Sequence, residues 1–455
     1  MTRSAAVVAF SILTACHSPS ARHAAPTTIE SCDYQVALSA DGRARVHASC
    51  KADGPIAFRV AAARLSRRVH ASTPEKSGRF PAAARALDYE VDLKQLAAGG
   101  HDFDRAAQVG ASFVGTMSSV LLVPEPLTTE IPVTVHVEAA PPVVVSVGLR
   151  RGPAADTYQL MAHEIGVSTY FAFGKLEQKT LELAGAKLEL TRLDGTLDQS
   201  FDDIGRWVEK SAAAVRDFYG AFPVPRASVT IIPIPSRDAV VFGKVLPESE
   251  PGVALLLGEH APRHALYSDW ILVHELFHLG FPSFFGEGKW LDEGLATYYE
   301  PIIRVRAGLY SELELWDELE SQMPQGLPAF RDGLEQAASF RGIYWGGAIA
   351  CLLADVEARR RNPSRGLEVG LRALREAGGT ASEVWSLKDA IGVIDHALGA
   401  PTLAPIAESH ARRGSAFDLA GLFSALGVKR DPSGVVELSD SAPLSAVRRA
   451  IVRRR

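Results

Sequence analysis

The stretch VHELFHLG, Val273 to Gly280, constrains this chain more than any other part of its sequence. On a helix, His274 and His278 are four positions apart, so their rings leave the same face one turn apart. The surrounding residues are apolar, which predicts a buried helix, and buried histidines and glutamates need partners. A metal ion provides one, because two imidazoles at this spacing can hold zinc, with Glu275 beside it within reach of a water.

The flanks of the motif predict where this helix begins and ends. Ser268 and Asp269 can cap its start, and the GFP run after Leu279 ends it. The motif alone is moderately specific, since about a few in a hundred chains of this length and composition carry it by chance. The alternative is a structural helix without metal. A second His-Glu pair, His163-Glu164 in AHEIGVS, has no second histidine, and we expect it in a strand or loop.

Zinc needs a third protein ligand, and Glu293 is the candidate. It lies 15 positions after His278, inside KWLDEGLATYYE. The intervening LGFPSFFGEGKWLD has glycine and proline enough for a turn, so a second helix beginning near Leu291 can return antiparallel and point Glu293 at the histidines. Two histidines and one glutamate, with the fourth position left for water, are typical of catalytic zinc sites. The alternative for Glu293 is a surface carboxylate in the first turn of a helix.

Length and composition place this motif in a chain of several domains. A chain of 455 residues is too long for one compact core, and 47% hydrophobic residues are ordinary for a globular protein. The net charge of -5 argues against a nucleic-acid partner. Only the C-terminal VRRAIVRRR is locally basic, and we expect a solvated tail there.

The pattern along the chain predicts an α+β multidomain fold. Residues 31–195 are rich in short strands such as TTEIPVTVHVEA, PVVVSVGLR and AKLELTRLDG, which predicts an N-terminal β-sandwich-like domain. Residues 196–362 begin with the amphipathic helix DQSFDDIGRWVEKSAAAVRDFYGAF and the strand RASVTIIPIP, and they contain the metal motif. Residues 363–455 are expected to form a C-terminal helical region.

The N-terminus is predicted to be a targeting segment. A positive Arg3 precedes an apolar run that is too short to cross a bilayer, which is typical of a secretion signal. Residues 13–16, LTAC, resemble the lipobox of bacterial lipoproteins, which implies that residues 1–15 are removed and that Cys16 is acylated. Residues 16–30 then form a polar tether, and the protein is expected to be exported and lipid-anchored at the cell envelope, on the outer membrane or the periplasmic face. The alternative is a plain signal peptide with an incidental cysteine.

The other cysteines fit an oxidising compartment. Cys32 and Cys50 flank a stretch that alternates like a hairpin around Asp41-Gly42, and a three-residue loop places them directly opposite each other. We therefore predict a disulfide between them. Cys351 lies in an apolar helical run and is expected to be a buried free thiol.

The motifs together resemble a known group of enzymes. HELFH followed by WLDEGLATYYE is similar to the gluzincin metallopeptidases, in which the glutamate of an (N/D/S)EG segment is the third ligand. YYEPIIRVRAGLYS and the helix YWGGAIACLLADVEARRR make the likeness strongest to the glycyl aminopeptidase-like (M61) family, with the M1 aminopeptidases more distant. The likeness covers roughly residues 200 to 400.

This resemblance implies a fold, a cofactor and residue roles. The fold is a thermolysin-like, mainly helical peptidase domain behind a β domain. The cofactor is Zn²⁺, held by His274, His278 and Glu293. Glu275 is the general base, and Tyr344 donates a hydrogen bond to the transition state. The expected function is hydrolysis of peptides or proteins by a zinc-dependent peptidase, with aminopeptidase action as one form.

Two departures from the family pattern bear on substrate binding. The gap between His278 and Glu293 is shorter than is typical, although it still permits a helical hairpin. FGKVLPESEPGVALLLGEHAP stands where a segment that grips a substrate's amino terminus is expected. Glu248, Glu250 and Glu259 are the nearby carboxylates that could hold an ammonium group; the alternative is solvated loop charges. VALLLG is predicted to be an edge strand that binds substrate backbone.

Two other functions remain compatible with the sequence. The first is a catalytically idle zinc-binding lipoprotein that acts as a binding module at the envelope. The second is an esterase or another hydrolase that uses the same zinc core.

Overall fold

A computed structural model describes residues 27–61, 68–98, 102–128, 130–166, 170–247, 250–284 and 286–454. The predicted signal peptide, Cys16, most of the tether and Glu248 lie outside these ranges. The first strand begins at Ile29, so the last two residues of the predicted tether belong to a strand instead.

The first part of the chain is a β domain with one short helix. In chain order its elements are β1 (Ile29–Leu38), β2 (Arg43–Ala52), β3 (Ala57–Arg59), β4 (Val69–Ala71), β5 (Arg79–Pro81), β6 (Ala86–Asp92), α1 (Leu93–Ala97), β7 (Ala106–Val109), β8 (Ser112–Thr116), β9 (Val123–Glu125), β10 (Pro132–Ala139), β11 (Val144–Val147), β12 (Arg150–Arg151), β13 (Thr157–Met161) and β14 (Tyr170–Gly174). Within the described residues these strands form three sheets, in the orders β12-β13-β10-β1-β2-β6-β4, β11-β14-β8-β7 and β5-β3-β9. Their alternating apolar residues enclose a separate core around Tyr34, Phe58 and Phe173.

The hairpin of β1 and β2 carries the two cysteines near the N-terminus. Its register places Cys32 opposite Cys50. A disulfide with an S–S distance of 2.03 Å joins them. Cys351 is a free, buried cysteine.

The five-stranded sheet that follows these three begins earlier in the chain than the sequence suggests. Its elements are β15 (Leu176–Leu183), β16 (Ala186–Leu193), α2 (Phe201–Tyr219), β17 (Arg226–Ile234), β18 (Val240–Leu246) and β19 (Gly252–Gly258). The strand order is β15-β16-β17-β19-β18. Because β15 and β16 belong to this sheet, the boundary between the strands of the N-terminal domain and those of the next region lies near residue 175. The sequence pattern places this boundary at residue 195.

The strand order also corrects the prediction for VALLLG. This segment is β19, which lies between β17 and β18 and has a partner on both sides. The edge strand is β18, which runs antiparallel to β19. An apolar run without alternation is typical of an interior strand, and β19 is buried along most of its length for this reason.

Helices dominate the rest of the chain. The elements are α3 (Arg263–Ser268), α4 (Ile271–His278), β20 (Ser283–Phe284), α5 (Lys289–Arg306), α6 (Glu312–Gln322), α7 (Leu327–Asp332), α8 (Phe340–Arg361), α9 (Leu367–Glu376), β21 (Val384–Trp385), α10 (Leu387–Leu398), α11 (Leu403–Ile406), α12 (Leu419–Leu426), β22 (Val428–Arg430), β23 (Val436–Leu438) and α13 (Ser445–Val452). One continuous core extends from Leu183 to Ile451, so the C-terminal helices share the core of the region that carries the metal motif.

The basic C-terminus is not a solvated tail over its whole length. Its helix α13 buries Val447 and Ile451 in the core, and Arg448 is itself 3% exposed. Arg448 pairs with Asp440 at 2.6 Å and with Glu312 at 3.3 Å, which neutralises its buried charge. In the described part of the chain, no helix combines the length and the apolar character that crossing a membrane requires.

Candidate metal centre

Helices α4 and α5 form the hairpin that brings His274, His278 and Glu293 together. The Nε2 atoms of His274 and His278 lie 3.4 Å and 3.5 Å from the same carboxylate oxygen of Glu293. One ligand atom from each of the three residues lies within 4.8 Å of the others. Both histidines are buried, and Glu293 is largely so. The helix starts with help from Asp269, whose carboxylate accepts a hydrogen bond from the Leu272 backbone N–H at 3.0 Å.

The spacing of these atoms fits a zinc ion. Donors at about 2.0–2.1 Å from a tetrahedral zinc ion are separated from each other by roughly 3.4 Å, close to the two distances between histidine nitrogens and Glu293. Two imidazoles and one carboxylate are also the donor set of catalytic zinc sites, which leave one position open. The residues present therefore fit Zn²⁺.

Asp292 orients one of the histidines. Its carboxylate lies 2.8 Å from Nδ1 of His278. A hydrogen bond there places the proton on Nδ1 and leaves the lone pair of Nε2 facing Glu293 and His274. Burial lowers the pKa of His278, but the Asp292 and Glu293 carboxylates raise it more, so the net pKa lies well above its usual value. Nothing in the sequence analysis singled out Asp292, although a carboxylate beside a ligand histidine is the usual arrangement.

Glu275 lies between the metal ligands and the edge strand β18. A Cβ atom added at Gly243 would lie 2.8 Å from Cγ of Glu275, so the glycine lets the strand pass directly over the carboxylate. Burial raises the pKa of Glu275. The two histidines and a hydrogen bond from the Val245 backbone lower the pKa of Glu275 by less, and the net shift is upward.

Tyr344 approaches the centre from helix α8. Its ring is parallel to the His274 ring, with 5.7 Å between centroids, and it stacks on Phe340 on its own helix at 3.9 Å. Burial raises the pKa of the Tyr344 hydroxyl, and the Glu293 carboxylate beside it raises the pKa further. The hydroxyl is therefore protonated and can donate a hydrogen bond.

A cavity of about 770 Å³ opens onto this centre and wraps around the free edge of β18. Glu275, His278, Glu293 and Tyr344 form part of its wall. The N-terminal domain contributes another part of the wall, through Asp102, Phe103, Asp104 and Tyr170. The site is thus built at the contact between the two domains.

Two of the carboxylates predicted to hold an ammonium group, Glu250 and Glu259, are not in this cavity. Glu250 pairs with Arg226 at 3.4 Å, and Glu259 accepts a hydrogen bond from the Ser236 backbone N–H at 3.1 Å. Neither lines the cavity, and Glu248 lies outside the described residues. His163 lies in a short 3₁₀ turn after β13.

Comparison with known proteins identifies the fold. Neither a protein-family model nor a curated protein matches the sequence. Among solved structures, an aminopeptidase N family protein from Idiomarina loihiensis matches with a TM-score of 0.67 and 14% identity over 90% of this chain and 82% of its own. A mutant of a two-domain M1 zinc metallopeptidase bound to L-arginine matches with a TM-score of 0.52 and 13% identity, over 86% of this chain and 96% of its own.

A third structure agrees with these two. The M1 zinc metallopeptidase from Deinococcus radiodurans matches with a TM-score of 0.51 and 13% identity, over 87% of this chain and 96% of its own. Identities this low show the fold and not the activity. The predicted fold class, a β-sandwich-like domain followed by a thermolysin-like, mainly helical domain, is confirmed.

Proposed function

We propose that this protein is a zinc-dependent peptidase. The observation that carries the proposal is the convergence of His274, His278 and Glu293, with Glu275 and Tyr344 beside them, on a cavity. This cavity runs along an edge of β18 that has no partner among the described strands. An unpaired edge offers backbone donors and acceptors to an extended peptide, so the substrate is a peptide or protein segment.

Each residue at the centre has a role in hydrolysis. His274, His278 and Glu293 would hold the zinc ion, which would supply Lewis-acid chemistry to the peptide carbonyl and to the attacking water. The Glu275 carboxylate accepts a proton from that water and then delivers it to the leaving amine. The Tyr344 hydroxyl donates a hydrogen bond to the carbonyl oxygen as negative charge develops there. Asp292 keeps His278 in the tautomer that a metal ligand needs.

The finer family placement is also a proposal. The stretch YYEPIIRVRAGLYS and the helix around Tyr344 favour the glycyl aminopeptidase-like family over other gluzincins. Removal of single residues from amino termini is the activity that this placement favours. A mixed peptide pool tests it, because an aminopeptidase releases single N-terminal residues whereas an endopeptidase makes internal cuts.

A set of three variants tests the proposed function. Wild-type protein should bind about one zinc per chain and cleave peptides in a way that a chelator abolishes. His278→Ala should lose the metal, whereas Glu275→Gln should keep zinc and the fold and lose most of kcat. Tyr344→Phe should keep zinc and lower kcat by about 100- to 1,000-fold with little change in KM, because its hydrogen bond forms mainly in the transition state.

The outcomes of this set separate the alternatives. Full activity in Glu275→Gln would refute the peptidase mechanism. Zinc binding without hydrolysis of any peptide or ester in wild-type protein would favour the idle binding module. Ester hydrolysis without peptide hydrolysis would favour a different hydrolase on the same zinc core.

We also propose that the protein is exported and held at the bacterial cell envelope by lipid on Cys16. The support is the LTAC sequence after a short apolar run. Cys16→Ser should move the protein from the membrane pellet to the soluble exported fraction, because the lipid would then be missing. Persistence of this variant in the pellet after a salt wash would contradict the proposal.

A further inference from the structure

Some of the charged side chains that line the cavity are paired with other residues of the protein, and this determines which of them can bind a charged substrate group. Apart from the catalytic Glu275 and the ligand Glu293, its described carboxylates are Asp102, Asp104 and Asp292. Asp292 is hydrogen-bonded to His278, as described above. A substrate ammonium group would therefore need Asp102 or Asp104.

Both of these carboxylates already have cationic partners. Asp104 contacts the Lys244 ammonium at 2.8 Å and accepts a hydrogen bond from the Tyr170 hydroxyl at 2.7 Å. Asp102 pairs with Arg105 at 2.6 Å. Among the described residues, the cavity thus presents no acidic side chain whose charge is free for a substrate cation.

In contrast to these paired carboxylates, Lys289 is a cavity residue whose charge has no partner among the described residues. It lines the same cavity and is exposed, and none of the described residues forms an ion pair with it. It is the first residue of α5, four positions before the ligand Glu293, so the two side chains share one helix face with Cβ atoms about 6 Å apart. A substrate in extended form advances about 3.3 Å per residue, so this Cβ separation corresponds to about two substrate residues.

We propose that Lys289 selects substrates that carry a carboxylate within two residues of the scissile bond, such as an acidic side chain or a chain terminus. This inference rests on the proposed peptidase function and names its substrate class. Lys289 contributes an unpaired positive charge at the rim of the cleft, and the pairing of Asp104 with Lys244 removes the competing attraction for basic peptides.

The test compares matched peptides on the zinc-loaded protein. Peptides that share one cleaved bond carry Glu, Gln or Lys at each of the two positions on either side, and kcat/KM is measured for each. Wild-type protein should prefer Glu over Gln by about two- to fivefold at one of these positions, the range expected for a partly screened ion pair. The ratio should fall to about one in Lys289→Met, and in Lys289→Glu the Lys peptide should become the better substrate.

A control variant and a binding measurement distinguish an effect of Lys289 from a general effect of removing a positive charge. Lys429, an exposed lysine on β22 far along the chain from the cavity residues, provides the matched control, and Lys429→Met should keep the wild-type ratio. Equilibrium binding of the Glu and Gln peptides to Glu275→Gln protein repeats the comparison without turnover. Equal rates or affinities for Glu and Gln peptides in wild-type protein, or an unchanged ratio in Lys289→Met, would overturn the inference. Absence of all hydrolysis would instead count against the proposed function, while the binding ratio still tests Lys289.

Discussion

The side chains around the metal ligands do as much to define the centre as the ligands themselves. Glu335 accepts hydrogen bonds from the Gly288 backbone N–H at 3.1 Å and from the Trp290 indole at 2.7 Å, so it fixes the start of α5 one turn before Glu293. Asp292 fixes the ring of His278 from the same helix. A carboxylate bonded to a ligand histidine, as Asp292 is, sets the direction of the ligand's lone pair, and the loss of such a group commonly weakens metal binding by 10- to 100-fold.

Single residues differ in how well sequence could predict them. The four-residue spacing of His274 and His278 puts both on one helix face without any tertiary information. Glu293 could be predicted as a ligand because zinc needs a third protein ligand and because the residues between His278 and Glu293 can form a turn. Glu335 and Asp104 come from segments far along the chain, and only the packing of the whole fold brings them to the site. The local sequence pattern does not indicate which distant segments contact each other in the folded protein.

At the level of elements, two glycines allow helices α5 and α8 to touch. A Cβ atom added at Gly347 would collide with the Trp290 carbonyl oxygen, and one added at Gly294 would collide with the Gly347 backbone. The helices therefore pack backbone against backbone. This close approach carries Tyr344, one turn before Gly347, to the side of the metal ligands.

Gly347→Ala should accordingly separate the two helices and reduce both stability and activity. Overpacking of this kind typically costs about 1–3 kcal/mol. Calorimetry should show a lower Tm, and kcat should fall because Tyr344 moves away from the centre. Gly392→Ala is the matched control, since Gly392 is in helix α10 with nothing within 4 Å of an added Cβ atom, and alanine favours a helix. A Gly347→Ala protein with wild-type Tm and kcat would show that the contact between these helices is looser than the structure indicates.

The two strands next to the site show where element-level prediction fails. β18 and β19 are both seven residues long and largely apolar, so the local signals that separate them are weak: an uninterrupted apolar run in β19 and a single lysine, Lys244, in β18. The edge position is decided by the order β17-β19-β18, which depends on long-range pairing. Two apolar side chains of β18, Val241 and Phe242, are 43% and 54% exposed.

At the scale of the whole molecule, the N-terminal domain is part of the candidate site. The sheet that contains β8 and β14 and the sheet that contains β18 and β19 share an apolar cluster between the domains. Its residues include Val114, Tyr170, Leu246 and Ala254. At the rim of this cluster, Asp104 from the N-terminal domain holds Lys244 on the edge strand. The substrate cleft therefore depends on how the two domains contact each other.

Asp104→Asn tests this dependence. Partial burial raises the pKa of Asp104, but hydrogen bonds with Lys244 and Tyr170 lower the pKa more, so the carboxylate is charged at neutral pH. The stability that the ion pair with Lys244 contributes is therefore lost only as the pH falls through this lowered pKa. Loss of this pair should leave the zinc content unchanged, accelerate amide exchange across Phe242–Leu246, and lower kcat/KM for a neutral peptide by about two- to fivefold, as expected for an ion pair worth about 0.2–1 kcal/mol. The matched control is Asp41→Asn, which removes an exposed pair with Arg43 at 3.2 Å on the β1–β2 hairpin and should change neither quantity. Unchanged exchange in β18 of Asp104→Asn would mean that the apolar cluster alone holds the edge strand against the N-terminal domain.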